Sequence, residues 1–268
     1  MIKDIVRNIL QSLLKHRIVH HQGDNLSASA IVFSPHKDDE TLGCGGTIVK
    51  KVAAGAQVRI VFFTDGRRSH RHLMAEESLV TIRTKESIAA ARVLGIKKSD
   101  IVFLEFPDGD LMDFQPDAVP KVIEILEKDQ PDEIYIPYFR ETTKDHFAVN
   151  LIVKTALKRY GKTMTVFEYP VWFWSHWPWA NLPLDSRRDV VKLVQESVIS
   201  TFYLLRDLKY AVSISEVLAQ KRQALEMYKS QMTRLLPDKR WRTLRDVANG
   251  DWLECFFQKF EVFYKWNF

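Results

Sequence analysis

The densest group of chemically active side chains in the sequence is His36-Lys37-Asp38-Asp39-Glu40. Three acidic residues in a row beside an apolar segment would repel one another and lose solvation unless a cation neutralises them. A histidine nitrogen and a carboxylate oxygen three positions apart, as in His36 and Asp39, can bind one metal ion. The spacing therefore predicts a metal site. The alternative is an acidic surface loop in which His36 is merely exposed.

A second histidine that could complete this site is His146, which follows a predicted strand far along the chain. Together with His36 and Asp39 it gives a set of two histidines and one carboxylate. Such a set suits Zn²⁺ with one coordination position open for water, as in hydrolytic zinc sites. The sequence therefore predicts a Zn²⁺ cofactor and hydrolytic chemistry.

Short apolar segments alternate with amphipathic ones from Ala30 onwards. Strands are predicted over residues 31–33, 58–63, 101–104 and 133–136, and helices over 47–54, 80–94, 117–128 and 147–160. This alternation is typical of a mostly parallel sheet with helices on both faces. We expect an α/β fold in a single domain.

Polar side chains follow each of the four predicted strands. The first is followed by residues 34–40, and the others by Thr64-Asp65-Gly66, Phe106-Pro107-Asp108 and Lys144-Asp145-His146. Ligands bind beyond the carboxyl ends of the strands in an open parallel sheet, so these groups should meet in one site. The glycines of Gly43-Cys44-Gly45-Gly46 are expected to bring the backbone close to a ligand before a helix begins.

The N-terminal segment is predicted to be an amphipathic helix. Residues 2–14 place their apolar side chains on one face at helical spacing, and a polar connector follows. We therefore expect two parts: residues 1–28 are the helix and its connector, and residues 29–268 are the domain that carries the chemistry. The helix could pack on the domain, on a second subunit or on a membrane surface.

The C-terminal part of the chain is less regular. Residues 189–205 are rich in apolar side chains without a clear period, residues 210–214 are predicted to be a strand, and residues 215–231 a helix. Four of the seven tryptophans lie in the segment 169–182, which has three interpretations. It could stack on sugar rings, contact a membrane or another subunit, or form a buried cluster under a loop.

Composition limits the class of protein. The chain has 268 residues, of which 46% are hydrophobic and 27% are charged, and only two cysteines that lie far apart. No disulfide framework, apolar run of about 20 residues or secretory signal is evident, so a cytoplasmic location is expected. The net charge of +5 would suit an anionic substrate or a membrane surface. No cluster of basic and aromatic residues indicates nucleic acid.

The motif that begins at Ser34 resembles the signature of the PIG-L/LmbE-like deacetylases. The segment reads SPHKDDETLGCGGT, and the usual form in that family runs His-Pro-Asp-Asp-Glu and then Gly-Cys-Gly-Gly-Thr. Further segments follow in the order of the family: Thr64-Asp65-Gly66, Arg83-x-x-Glu86, Leu94-Gly95, Phe106-Pro107-Asp108, Asp145-His146 and Lys221-x-x-Ala224-x-x-x-Tyr228-x-Ser230-Gln231. The resemblance covers roughly residues 30–232 and implies a Rossmann-like fold.

The resemblance also implies an activity. It identifies a zinc-dependent N-deacetylase, an amidohydrolase acting on linear amides, that removes the N-acetyl group of an amino sugar or sugar conjugate. His36, Asp39 and His146 would be the zinc ligands. Asp38 would be the general base for a metal-bound water that attacks the amide. Arg83 would lie at a substrate-binding position, and Asp108 would contact a sugar hydroxyl.

Two positions depart from the family pattern. Lys37 replaces the common proline, which is tolerable because that side chain is not a ligand. Thr143 replaces a histidine that stabilises the oxyanion in many members, and a threonine is a weaker, neutral donor. Asp145 would normally orient that histidine, so it acts either in catalysis beside Thr143 or as an outer partner of a ligand. Three histidines could reach the site instead of Thr143: His70, His72 and His176.

Two other functions remain compatible with the sequence. One is a non-catalytic sugar- or nucleotide-binding relative. The other is a metal-dependent phosphoesterase with Asp38, Asp39 and Asp65 around Mg²⁺. For the deacetylase, the substrate could be a free sugar, a nucleotide sugar, a lipid-linked sugar, a thiol-sugar conjugate or an antibiotic intermediate.

Overall fold

Strands of the central sheet carry the site at their carboxyl ends. The structure, a computed structural model, describes residues 2–17, 19–20, 26–180 and 187–268. The strands in these ranges are β1 (Val19–His20), β2 (Ala30–Ser34), β3 (Val58–Thr64), β4 (Ile101–Phe106), β5 (Glu133–Pro137), β6 (Thr165–Tyr169), β7 (Tyr210–Ser213) and β8 (Phe260–Asn267). They form one sheet in the order β1-β7-β8-β6-β5-β2-β3-β4. Neighbours from β6 to β4 pair in parallel, as do β1 and β7, whereas β8 is antiparallel to both β6 and β7.

Helices cover both faces of this sheet. Their bounds are α1 (Ile2–Arg17), α2 (Asp39–Ala53), α3 (Glu76–Val93), α4 (Gln115–Asp129), α5 (Lys144–Tyr160), α6 (Arg187–Asp207), α7 (Leu218–Glu226), α8 (Lys229–Met232) and α9 (Asp251–Glu254). One apolar core contains side chains of α4 and α5, and a larger core contains those of α1, α2, α3, α6 and α7. Successive strand residues point into opposite cores, as Val32 and Phe33 do. The predicted single-domain α/β fold with a mostly parallel sheet is confirmed.

Three strands, β1, β6 and β8, and one helix break differ from the sequence-based expectation. Strand β6 was not predicted, because its Glu168 looks like a surface residue but is buried, accepting hydrogen bonds from Phe139 N and Trp266 Nε1. Strand β8 lies in an aromatic segment with no clear alternation. The helix predicted over 215–231 is divided into α7 and α8 at Tyr228, whose ψ of 61° is not helical.

The glycine-rich segment lies inside α2 and not before it, so that prediction was wrong. Helix α2 already begins at Asp39, directly after the turn that follows β2. A Cβ atom on Gly43 would overlap the ring of Tyr169, and one on Gly46 would lie 2.5 Å from Ile214 Cγ2. These glycines are needed because two side chains pack directly onto the helix backbone, not because a ligand approaches it.

A buried ion pair holds α2 near its middle. Glu261 of β8 accepts hydrogen bonds from Gly46 N at 2.8 Å and from Thr47 N at 2.7 Å. Lys221 Nζ donates to Glu261 Oε1 at 2.7 Å and to the Leu42 carbonyl at 2.8 Å. The lysine of the C-terminal motif therefore supports the helix that starts at the site.

The N-terminal helix packs on the domain with one side. Leu10 and Leu14 are buried in the larger core, whereas Ile5, Ile9 and Leu13 are exposed. The connector that was predicted over residues 20–29 lies partly outside the described residues. None of the described helices is long and apolar enough to cross a membrane.

The tryptophan-rich segment is mostly a buried cluster in its described part, which ends at residue 180. Trp174 and Trp179 are buried, and Trp172 stacks on Trp252 with ring centroids 4.7 Å apart. Arg7 of α1 donates hydrogen bonds to two backbone carbonyls of this segment. Of the three interpretations, the buried cluster agrees with these contacts.

Replacing Gly43 by alanine should destabilise the protein by about 1–3 kcal/mol, because the added methyl group overlaps the Tyr169 ring. Gly45→Ala is the matched control, since its Cβ would lie 3.1 Å from the side chain of Lys221 and alanine favours the helix by about 1 kcal/mol. We expect the free energy of unfolding of the control to stay within about 1 kcal/mol of the wild type. Urea unfolding of both variants checks this, and equal losses would contradict the packing explanation.

Candidate active site

The turn between β2 and α2 places the first site residues. Asp38 stands just before the first residue of α2, with φ 152° and ψ −24°, a conformation that residues other than glycine rarely adopt. Its N–H donates to Glu40 Oε2 at 3.1 Å, and Glu40 Oε1 accepts a hydrogen bond of 2.6 Å from the Tyr228 hydroxyl. The buried carboxylate of Glu40 therefore stabilises the strained backbone conformation of Asp38.

The three predicted metal ligands converge. One ligand atom from each of His36, Asp39 and His146 lies within 4.8 Å of the others. Asp39 Oδ2 is 3.2 Å from His36 Nδ1 and 3.1 Å from His146 Nε2. The side chain of His36 is 20% exposed, while those of Asp39 and His146 are buried, so the group opens to solvent at His36.

The donor set fits a metal ion such as zinc. Both ring nitrogens of His146 are buried and neither has a hydrogen-bonding partner of suitable geometry in the described chain, although Asp39 Oδ2 is close to Nε2 and Glu141 Oε2 is close to Nδ1. A buried polar atom without a partner costs free energy, and a bound cation would remove that cost. Two imidazole nitrogens and one carboxylate oxygen are ligands that Zn²⁺ accepts, with room for a further ligand.

The outer nitrogens of both histidines face carboxylates. His36 Nε2 lies 3.1 Å from Asp145 Oδ2 and 3.3 Å from Asp108 Oδ1, and His146 Nδ1 lies 3.2 Å from Glu141 Oε2. A carboxylate at the outer nitrogen fixes the orientation and tautomer of a ligand histidine. The remaining nitrogens, His36 Nδ1 and His146 Nε2, are the two in the ligand group.

Asp145 therefore contacts His36, and not a group at position 143. Its carboxylate also accepts hydrogen bonds from Gly109 N at 2.7 Å and Leu111 N at 3.3 Å. Sequence reasoning did not single out Glu141. The available signal was an acidic residue a few positions before a histidine that needs a partner for its second nitrogen.

Arg83 is buried against Asp38 and does not point into open solvent. Its Nη2 donates to Asp38 Oδ2 at 3.2 Å and to the Lys37 carbonyl at 2.6 Å, and its Nε has no partner. Burial raises the pKa of the Asp38 carboxyl to about 7, against the opposing effect of the Arg83 guanidinium. Burial also raises the pKa of Asp39, but His146 more than offsets this, so that the pKa of Asp39 lies well below its usual range.

Thr143 is the residue that precedes α5, three positions before His146. Its Oγ1 atom is buried and makes no hydrogen bond with any of the described residues. The hydroxyl is thus an unused donor close in the chain to a member of the ligand group.

The three alternative histidines are held elsewhere. His70 Nε2 bonds to the Arg242 carbonyl at 2.8 Å, and His176 Nδ1 contacts the Phe173 carbonyl. His72 is exposed. None of the hydrogen bonds found for these histidines in the described chain reaches a predicted site residue.

The acidic cluster proposed for Mg²⁺ does not form. Asp65 bonds to Arg67 and belongs to neither of the groups in the described chain that could hold a metal ion. Those groups are His36-Asp39-His146 and His36-Asp108-Asp145.

Comparison with known proteins gives the family. The model of the PIG-L family, described as GlcNAc-PI de-N-acetylase, matches residues 31–157. A probable N-acetyl-alpha-D-glucosaminyl L-malate deacetylase 2 of Bacillus cereus is 30% identical over 245 residues, which is 88% of this chain and 98% of the relative. The diacetylchitobiose deacetylase of Thermococcus kodakarensis is 25% identical over 209 residues, 75% of this chain and 69% of that protein.

A solved structure agrees in fold. The N,N'-diacetylchitobiose deacetylase of Pyrococcus horikoshii, in complex with an inhibitor, superposes with a TM-score of 0.59 at 21% identity, covering 99% of this chain and 93% of the other. The chain belongs to the PIG-L family of LmbE-like deacetylases, as its motifs predicted.

Replacing His146 by alanine should weaken zinc binding, because it removes one of three ligands from a buried site. Zinc content after dialysis, measured by elemental analysis, should fall in this variant and stay unchanged in the control His72→Ala, whose side chain is exposed. Full zinc retention by His146→Ala would contradict the ligand assignment.

Proposed function

We propose that the protein is a zinc-dependent N-deacetylase that hydrolyses the acetamide of an N-acetylglucosamine-containing substrate to acetate and a free amine. One observation carries the proposal: the ligand atoms of His36, Asp39 and His146 lie within 4.8 Å of one another. Family membership supports it, since the relatives are named for deacetylation of GlcNAc-PI, of a glucosaminyl malate and of diacetylchitobiose.

His36 and His146 are oriented to bind a zinc ion. When bound, zinc supplies a Lewis acid that polarises the amide carbonyl and lowers the pKa of a water molecule. His36 and His146 direct one nitrogen each to the ligand group, because the other nitrogen of His36 is hydrogen-bonded to Asp145 and the other nitrogen of His146 lies 3.2 Å from the carboxylate of Glu141. In this proposal Asp145 positions His36 and takes no proton from the substrate.

Asp38 is the general base. Its carboxylate is adjacent to the ligand group in sequence but is not part of it, so its oxygens are available for a proton. Asp38 accepts a proton from the attacking water and returns it to the nitrogen of the leaving amine. Arg83 holds one oxygen of this carboxylate and so fixes its direction.

Substrate enters where His36 and Asp108 are exposed. The side chain of Asp108 is 12% exposed, and one of its oxygens accepts a hydrogen bond from Arg68 N at 3.2 Å. It retains capacity to accept a hydrogen bond from a sugar hydroxyl. The unpartnered Nε of Arg83 is the donor that this residue can offer to the substrate.

Thr143 donates to the oxygen that becomes negatively charged when water adds to the amide. Its buried hydroxyl has no hydrogen-bonding partner in the described part of the chain, so it can turn towards the substrate without breaking a hydrogen bond. A neutral hydroxyl stabilises this charge less than a protonated histidine would. We therefore expect Thr143 to contribute modestly.

Acetate release tests the function directly. The zinc-loaded protein is incubated with N,N'-diacetylchitobiose, N-acetylglucosaminyl malate and GlcNAc-phosphatidylinositol, and acetate and free amine are measured. Equal amounts of both products from at least one compound are expected. Bound zinc without acetate from any N-acetylated sugar would favour a binding protein, and release of phosphate would favour a phosphoesterase.

Asp38→Asn should keep zinc and lose turnover, because the amide has the same shape but is not a base. We expect kcat to fall about 100- to 10,000-fold, the usual contribution of a general base. Zinc content of the variant and the activity of Asp113→Asn, an exposed carboxylate, are the controls. Near-normal turnover in Asp38→Asn would show that another group is the base.

Thr143→Val should lower kcat by about tenfold to a hundredfold, with zinc content unchanged. This decrease in kcat is smaller than or similar to the decrease caused by removing an established oxyanion-hole donor from an enzyme. Thr142→Val is the matched control, because Thr142 is its exposed neighbour. Steady-state kinetics separate kcat from KM. If Thr143→Val were as active as Thr142→Val, the hydroxyl would have no part in the reaction.

A further inference from the structure

Three backbone N–H groups donate to the carboxylate of Glu141, and the Nδ1 atom of His146 lies beside it. Oε1 accepts hydrogen bonds from Val171 N at 2.9 Å and Phe173 N at 3.1 Å, and Oε2 accepts one from Trp172 N at 2.6 Å. The same Oε2 atom lies 3.2 Å from His146 Nδ1, and both side chains are fully buried. One side chain thus contacts a member of the metal-ligand group and three consecutive amides of the turn after β6.

We propose that Glu141 is a positioning residue that orients His146 for metal binding and ties the turn 171–173 to it, so that the two form one rigid unit. The inference rests on the proposed function in one respect, which is that His146 is a metal ligand.

Only a carboxylate side chain suits position 141. An ionised carboxylate accepts at both oxygens and donates nothing, which suits two amide donors at Oε1 and, at Oε2, one amide donor and the nearby imidazole nitrogen. A glutamine of the same shape would turn its NH₂ group either towards Val171 N and Phe173 N or towards Trp172 N and His146 Nδ1. In both orientations two N–H groups would face another donor, so no flip of the amide restores the arrangement.

The turn held by Glu141 belongs to the tryptophan-rich segment. Trp172 stacks on Trp252 of α9, and Phe173 packs edge-on against Tyr138 with centroids 5.4 Å apart. Arg7 fixes the far end of the same segment. The tryptophan-rich segment has no part in the proposed reaction. In this proposal it stabilises the metal site through Glu141.

The test uses Glu141→Gln in the full-length protein. Zinc affinity is measured by competition with a chromophoric chelator on protein stripped of metal, and we expect it to be about 10- to 100-fold weaker than in the wild type. Amide hydrogen exchange of peptides that cover residues 171–173 is measured in the same metal-free protein. We expect faster exchange there, because three acceptors are lost or weakened.

Glu168→Gln is the matched control. Glu168 is also fully buried and accepts hydrogen bonds from Phe139 N and Trp266 Nε1, but has no contact with His146 among those found in the described chain. It should lose thermal stability as Glu141→Gln does, yet bind zinc within about twofold of the wild type. This control separates a general loss of stability from an effect on the histidine.

Glu141→Asp provides a second measurement if Glu141→Gln does not fold. It keeps both acceptor oxygens but is one methylene shorter, so it cannot reach His146 and the turn together. We expect a zinc affinity between those of the wild type and Glu141→Gln, with faster exchange at residues 171–173.

Two results would overturn the proposal. One is zinc affinity within twofold of the wild type in both Glu141 variants, and the other is an equal loss of zinc affinity in Glu168→Gln. Failure of the proposed function is recognised separately, because zinc binding by the wild type and its loss in His146→Ala are measured first. Wild-type protein that binds no zinc would refute the metal assignment and, with it, the role of Glu141 in orienting a ligand.

Discussion

The buried carboxylate of Asp39 can remain ionised only because two imidazole rings share it. Burial opposes the charged form, and the contacts with His36 and His146 more than compensate. Burial lowers the pKa of His146, but Asp39 and Glu141 together raise it by more, to about 9. Positive charge must therefore accompany this carboxylate, and a bound metal cation would supply it without the protons. The fold has to bring two distant loops together for this purpose, which the parallel sheet does at the carboxyl ends of β2 and β5.

Several buried carboxylates around Asp39 contact backbone amides as well as side chains. Asp145 holds His36 and the loop at Gly109, and Glu141 holds His146 and the turn at Trp172. Glu261 does the same for the middle of α2. Because each carboxylate is satisfied by several donors, its burial does not leave an unpaired charge. The side chains of the site are thus connected to the backbone around them, so their directions are set before any ligand binds.

The sequence predicted the parts of this molecule that follow from local pattern. Alternating apolar segments gave the parallel strands, and acidic residues beside a buried strand indicated the metal site. The sequence did not predict features that depend on contacts between residues far apart in the chain. Glu141 acquires a structural role only because the turn at Trp172 folds against it. Glu168 is buried only because Lys154 and Trp266 contact it. The glycines of α2 were assigned to a ligand because the side chains that fill their space come from β6 and from the segment before α7. Family membership identifies the class of reaction. The spacing of the candidate ligand residues alone would not have identified it.

Strand β8 follows every other described strand in the chain, yet it lies between β6 and β7 in the sheet. During synthesis on the ribosome, β7 and β1 can pair with each other, but they cannot join the other strands until residues 260–267 have emerged. Glu261 also comes from β8, so the ion pair that supports α2 is completed at the same moment. The half of the sheet that carries His36 and His146 can pair earlier, but the helix starting at Asp39 gains its central support last. Assembly of a fully supported site is thereby delayed until residues 260–267 have been synthesised.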